Sequence, residues 1–255
     1  MKKKIDELRA AEKPVLIERG EDNSVLIIAF TGFIHRLSMR VYEFFDLTKA
    51  SGYSRILLRD ENRVWYHHGI DRQRNDYPSL LRYLQSEIEK LNPQKIICLG
   101  TSAGGYAAIV AGHHLGADYV HAFAPHTLLE VSVASCLGRF RRSLYRWARL
   151  KLLFSRVARR EFFDLGDLLK NHNGKTLYYI HHCAGIPRDV EGVARIAGLP
   201  GVVSMPYPCA AHSVPSFLAK VDFLKEILNI NNQHKLAELA RAHFVNMAGD
   251  DRLAK

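Results

Sequence analysis

The stretch Lys95-Ile96-Ile97-Cys98-Leu99-Gly100-Thr101-Ser102-Ala103-Gly104-Gly105-Tyr106-Ala107-Ala108 decides the fold. Its first five residues form a short, almost wholly apolar run, the pattern of a strand buried on both faces. A helix rich in small residues, continuing through Ile109, Val110 and Ala111 to about Gly116, follows at once. Between them lies Gly-Thr-Ser-Ala-Gly, a G-x-S-x-G pentapeptide in which a serine sits on a sharp turn from strand to helix. Such a turn lets strand and helix approach only if the neighbours are small, as Gly100, Ala103, Gly104 and Gly105 are. The helix N-terminus and the Ala103 amide would favour negative charge developing beside Ser102. A glycine-rich turn that only packs, or binds phosphate, is the plainer reading of the same residues. The Gly-Lys-Ser/Thr ending of a Walker motif is absent.

Outward from this point the chain alternates strands and helices. Val25 to Phe30 and Ile56 to Leu58 are further apolar runs, and Val15-Leu16-Ile17 fits an antiparallel edge strand. Tyr77-Pro78-Ser79 opens a helix with Leu80, Leu81, Leu84, Ile88 and Leu91 at helical spacing, stopped by Asn92-Pro93. Tyr119 to Phe123, Thr176 to Ile180 and Val202 to Met205 are strand candidates, the last two separated by a helix near Asp189 to Ala197. Helices are expected over Pro215 to Leu228 and His234 to Phe244. The alternation predicts an α/β fold with a mostly parallel, doubly wound sheet, interrupted by one helical insertion at about 128–172.

A chain of 255 residues, 47% hydrophobic and 24% charged, fits a single globular domain over 1–255. Acids interrupt the basic start Met1-Lys2-Lys3-Lys4-Ile5-Asp6-Glu7, so neither a secretory signal nor a membrane span is expected and the cytoplasm is the expected location. Cys98, Cys136, Cys183 and Cys209 form no C-x-x-C pair and are expected to be reduced thiols. The net charge of +10 has a local source. Nine of the 36 basic residues lie between Arg139 and Arg160 with no acid among them, leaving 27 basic against 26 acidic residues elsewhere. That distribution gives no reason to expect specific nucleic-acid binding. The pairs His67-His68, His113-His114 and His181-His182 do not make a metal site, because adjacent side chains diverge on a strand or helix.

The stretch from Val25 to His126 resembles the α/β-hydrolase superfamily, and Gly100 to Ala108 is similar to the G-x-S-x-G-G-Y-A-A elbow of bacterial esterase-like members. The likeness extends in outline to the last strand and His212. It implies an eight-stranded sheet, a Ser-acid-His triad and a backbone oxyanion hole, with no cofactor. The family order places the histidine after the final strand, which selects His212 among 13 histidines as general base toward Ser102, against the plainer reading of a surface loop residue. Asp189 is the acid candidate, with Glu191 as rival, and an aspartate there could instead cap the next helix. Ala103 and Phe33 are the expected oxyanion donors. The loop Thr31-Gly32-Phe33-Ile34-His35 departs from the family's H-G-G-G form, and Gly32 could be an ordinary turn glycine. His35 and His126 could line the site.

The activity implied is hydrolysis of a carboxylic ester or thioester through an acyl-enzyme. A peptidase or acyltransferase would use the same residues, and a catalytically silent binding protein could keep the fold. In the insertion, Phe140, Leu144, Trp147, Leu150, Phe154 and Val157 recur at spacings of three or four, predicting an apolar helical face under a lid. Its arginines are either a solvated surface or a contact for an anionic group of a substrate, a carrier protein or a membrane surface.

Overall fold

The computed structural model describes residues 13–33, 44–132, 144–172, 174–209 and 212–246. Its centre is a seven-stranded sheet of β1 (Val15–Glu18), β2 (Asp22–Phe30), β3 (Tyr53–Leu58), β4 (Lys95–Thr101), β5 (Tyr119–Phe123), β6 (Leu177–Cys183) and β7 (Val202–Tyr207). The spatial order is β1-β3-β2-β4-β5-β6-β7. Only β1 runs antiparallel, Val15 facing Leu58, as expected of an edge strand. Seven strands lie among the described residues where the resemblance implies eight.

The apolar runs are continuous because both faces of the sheet are covered. Leu26, Ile28 and Phe30 point into one core, and Val25, Ile27 and Ala29 into the other. The first core is roofed by α2 (Tyr77–Leu91) and α3 (Ala103–Leu115), the second by α1 (Phe45–Ala50), α7 (Val214–Lys220) and α8 (Leu236–Asn246). Helix α2 starts on a capping box between Asp76 and Ser79 and stops at Asn92 in a left-handed conformation. The expected C-terminal helices are instead α7, two short 3-10 turns (Leu224–Leu228 and Ile230–Lys235) and α8.

Between β5 and β6 lie α4 (Leu144–Leu153) and α5 (Leu165–Lys170), and α6 (Pro187–Ala194) follows β6. The inward face of α4 is not the one the apolar spacing selects. Ala148 and Leu152 enter the core, whereas Trp147 is 65% and Phe154 79% exposed. Phe140, with Arg139, Arg141 and Arg142, lies outside the described residues, as do His35 and Cys136. No helix among the described residues is long and apolar enough to cross a membrane.

The expectation of reduced thiols is corrected for two cysteines. Cys183, at the end of β6, and Cys209, two residues beyond β7, form a disulfide with their Cα atoms 5.1 Å apart. Neighbouring strands bring them together, which spacing along the chain could not reveal. Cys98 is free and buried. Polar groups inside the second core are also paired. Gln233 Oε1 accepts from His121 Nε2 at 3.0 Å, His121 Nδ1 accepts from His181 Nε2 at 3.1 Å, and His181 Nδ1 accepts from Tyr207 at 2.8 Å. All four ring nitrogens of His121 and His181 are thereby satisfied with both imidazoles neutral.

Candidate active site

The strand order reverses between β2 and β4, and a crevice at the C-terminal edge of such a sheet is where α/β folds place ligands. Ser102 lies at that edge, between β4 and α3, with φ 54° and ψ −112°. A non-glycine residue tolerates this backbone only when its surroundings impose it. Here the Ser102 amide donates to Phe123 O at 2.8 Å, and the glycines permit the contact of strand and helix. A Cβ on Gly104 would sit 2.1 Å from Phe30 O, and one on Gly100 2.3 Å from Gly104 O. The pattern G-x-S-x-G is thus a packing requirement that leaves the serine raised at the turn. Its Oγ is buried without a hydrogen-bond partner.

Asp189 lies in the first turn of α6, not at its N-cap, which is Ile186. Its buried carboxylate meets His212 Nδ1 at 3.0 and 3.1 Å. Nδ1 therefore carries the proton, and Nε2 is left as an acceptor. That Nε2, like Ser102 Oγ, is buried and unpartnered. Glu191 is exposed and makes no bond to His212 among the described residues. The Ala103 amide opens α3, one of the groups that intrahelical bonding leaves free. Phe33 follows β2 beside the elbow, its buried ring edge-on to Trp65 at 4.7 Å and tilted against Tyr145 at 5.5 Å.

Beside His212 opens a cavity of about 370 Å³, its walls including His126, Tyr145, Arg146, Arg149, Arg188 and Glu191. Sequence reasoning named His126 only as a residue that could line the site and missed Trp65 and Tyr145. Trp65 belongs to a loop in which Arg63, Trp65 and Tyr66 all have φ between 54° and 63°. The buried Asp60 carboxylate holds that loop by accepting from the amides of Arg63, Val64 and Tyr66. Burial raises the Asp60 carboxyl to about 6 even so. Tyr66 in turn donates to Thr31 O at 3.0 Å, fastening the start of the Phe33 loop. Burial, with Arg188, His212 and Arg149 nearby, lowers His126 to about 3, so its ring is neutral. The run Asp60 to Ile70 has no periodicity, and left-handed residues other than glycine leave no trace in composition.

The sheet order, the serine elbow after β4 and the histidine after β7 give the chain the α/β-hydrolase fold. No protein-family model matches it, and no curated protein matches it in sequence. Solved structures do match in shape. The capsule O-acetyltransferase of Neisseria meningitidis serogroup A is similar with a TM-score of 0.61 at 16% identity, over 84% of this chain and 90% of that one. A glycosylation associate protein (Gap123) complex from Streptococcus agalactiae gives 0.60 at 15% identity, over 86% of this chain and 44% of that one. The monoacylglycerol lipase of Paleococcus ferrophilus gives 0.51 at 14% identity, over 91% and 100%.

Proposed function

We propose that the chain is a serine acyl-transfer enzyme that cleaves a carboxylic ester or thioester through an acyl-enzyme on Ser102. One observation carries the reading. Ser102 Oγ, a buried donor, and His212 Nε2, a buried acceptor aligned by Asp189, both stand unpartnered, and both residues follow the C-terminal ends of parallel strands, β4 and β7. Such pairs tighten into a hydrogen bond when substrate binds. His212 Nε2 then takes the Ser102 proton as Oγ attacks the acyl carbon, and the amides of Ala103 and Phe33 receive the oxyanion. Collapse breaks the bond to the alcohol or thiol, which leaves with the proton from His212. Water, deprotonated by His212, attacks the acyl-serine and releases the carboxylic acid, restoring Ser102. Asp189 holds the imidazolium throughout.

Transfer of the acyl group to an acceptor other than water is the second reading, favoured by the cavity beside His212, which has room for one. The O-acetyltransferase among the similar structures shares the fold on which this reading would operate. Labelling the purified protein with a fluorophosphonate tests both readings. Label on the wild type and none on Ser102→Ala is the expected result, with turnover of a short-chain p-nitrophenyl ester falling on the order of 10⁴-fold or more in Ser102→Ala and His212→Ala. An unlabelled wild type would leave a silent scaffold.

A further inference from the structure

The cavity beside His212 carries an unsatisfied positive charge. Arg146, Arg149, Arg188 and Arg195 line it together with Glu130, Glu191 and Asp189. Two of these guanidinium groups are engaged: Arg195 pairs with Asp164 at 2.8 Å, and Arg188 approaches Asp189 at 3.9 Å. Asp189 is itself committed to His212. Arg146 and Arg149, from α4, have no carboxylate within ion-pair distance among the described residues. Arg149 is the telling one, because it is half-buried and its Nε is cut off from solvent with no acceptor. A buried guanidinium donor without a partner is costly, and its natural complement is an oxyanion that accepts two parallel N–H bonds.

A second donor converges on the same space. The Trp65 indole N–H donates to His126 Nδ1 at 3.0 Å. An indole can only donate, so the single proton of the neutral imidazole is on Nε2. Nε2 has no protein partner among the described residues, on a ring that lines the cavity. Tyr145, 5.3 Å from the His126 ring centre, packs it from the α4 side.

Building on the acyl-transfer reading, we propose that this cavity binds an anionic group of the substrate, a phosphate ester or carboxylate, with Arg149 and Arg146 as charge partners and His126 Nε2–H as a neutral donor. The site would then select substrates that carry a negative oxygen group near the scissile bond.

Titration calorimetry on the full chain with inorganic pyrophosphate and with succinate tests this without requiring turnover. One of the two anions is expected to bind the wild type. Its affinity should fall about tenfold in Arg149→Gln, the loss of one charge-assisted hydrogen bond, and weaken as salt rises. Arg149→Lys should recover part of it. Tighter pyrophosphate assigns a phosphate ester, and tighter succinate a carboxylate. Failure of both anions to bind, or binding indifferent to Arg149→Gln in a variant with an unchanged circular dichroism spectrum, overturns the proposal. Fluorophosphonate labelling in the absence of either anion reports on Ser102 independently, so a failed cavity and a failed acyl-transfer reading give different results.

Discussion

Trp65 and His126, 61 residues apart in sequence, share a 3.0 Å hydrogen bond that fixes which nitrogen of His126 holds its proton. The bond links the left-handed loop after β3 to the cavity wall after β5, and the Trp65 ring also packs on Phe33. One side chain therefore touches both the expected oxyanion loop and the expected anion recess.

Trp65→Phe keeps an aromatic side chain, though a smaller one, and removes the donor. The variant should lose about 1 to 3 kcal/mol of stability, and the ¹⁵N spectrum of His126 should change from a single Nε2–H tautomer to a mixture. An unchanged spectrum would mean that the indole does not set the tautomer.

Asp189 and Glu191 are separated by one helical residue, and only Asp189 meets His212. Asp189→Asn should lower ester turnover roughly 10³-fold or more, through loss of the charge that orients and stabilises the imidazole. Glu191→Gln should stay within a few-fold of wild type. The reverse outcome, measured on a p-nitrophenyl ester, would transfer the role to Glu191.

The buried side of α4 and the exposed rings of Trp147 on it and Phe154 just beyond it make opposite predictions for stability. Trp147→Ala and Phe154→Ala remove exposed rings and should each change stability by only about 0.5 kcal/mol. Leu152→Ala, which empties a core position, should cost about 2 to 5 kcal/mol. Chemical denaturation of the three variants checks the order.

Burial lowers His67, His121 and His126 to about 3 and holds His181 well below its usual value. The unfolded chain binds protons at these positions below about 6.5, whereas the folded chain does not. Their contribution to stability is therefore complete above that pH and is lost progressively as pH falls below it. Asp60, raised to about 6, acts in the opposite direction between about 4 and 6, but it is one group against four. The midpoint for urea unfolding should fall steadily from pH 6.5 to pH 4, and a flat profile would contradict the buried neutral histidines.

How much was legible in the sequence depended on whether a residue's role is local. The bounds of Tyr119–Phe123 are legible because its apolar run, broken only by His121, lies between Gly116-Ala117-Asp118 and Pro125. The elbow was legible because close packing demands Gly100 and Gly104 at fixed spacing around Ser102. The pairing of Asp189 with His212 follows chain order on this fold, and the geometry brings these two together. The apolar face of α4 was misread for a physical reason. Its inward positions are Tyr145, Ala148, Arg149 and Leu152, so a small residue and a charged one stand where the pattern seeks large apolar side chains. Helix α1, six residues long, is too short to show a period. The Cys183–Cys209 bond joins partners that only the pairing of β6 with β7 makes neighbours.

That bond has a consequence for how the His212–Asp189 pair endures. Strand β7 is the outermost of the parallel strands, hydrogen-bonded on one side alone, and margins of this kind are the first to melt locally. His212 hangs from the far end of this margin, while Asp189 is anchored through the interior strand β6. Were β7 to peel away freely, acid and base would part company long before the core gave way. The sulfur staple joins Cys209, three residues before His212, to Cys183, six residues before Asp189, so both loops start from one covalent point and the reach of a peeling margin is limited by that tether. The pair survives transient opening as one tethered body where the surroundings keep the sulfurs joined, and loses that insurance in a strongly reducing medium.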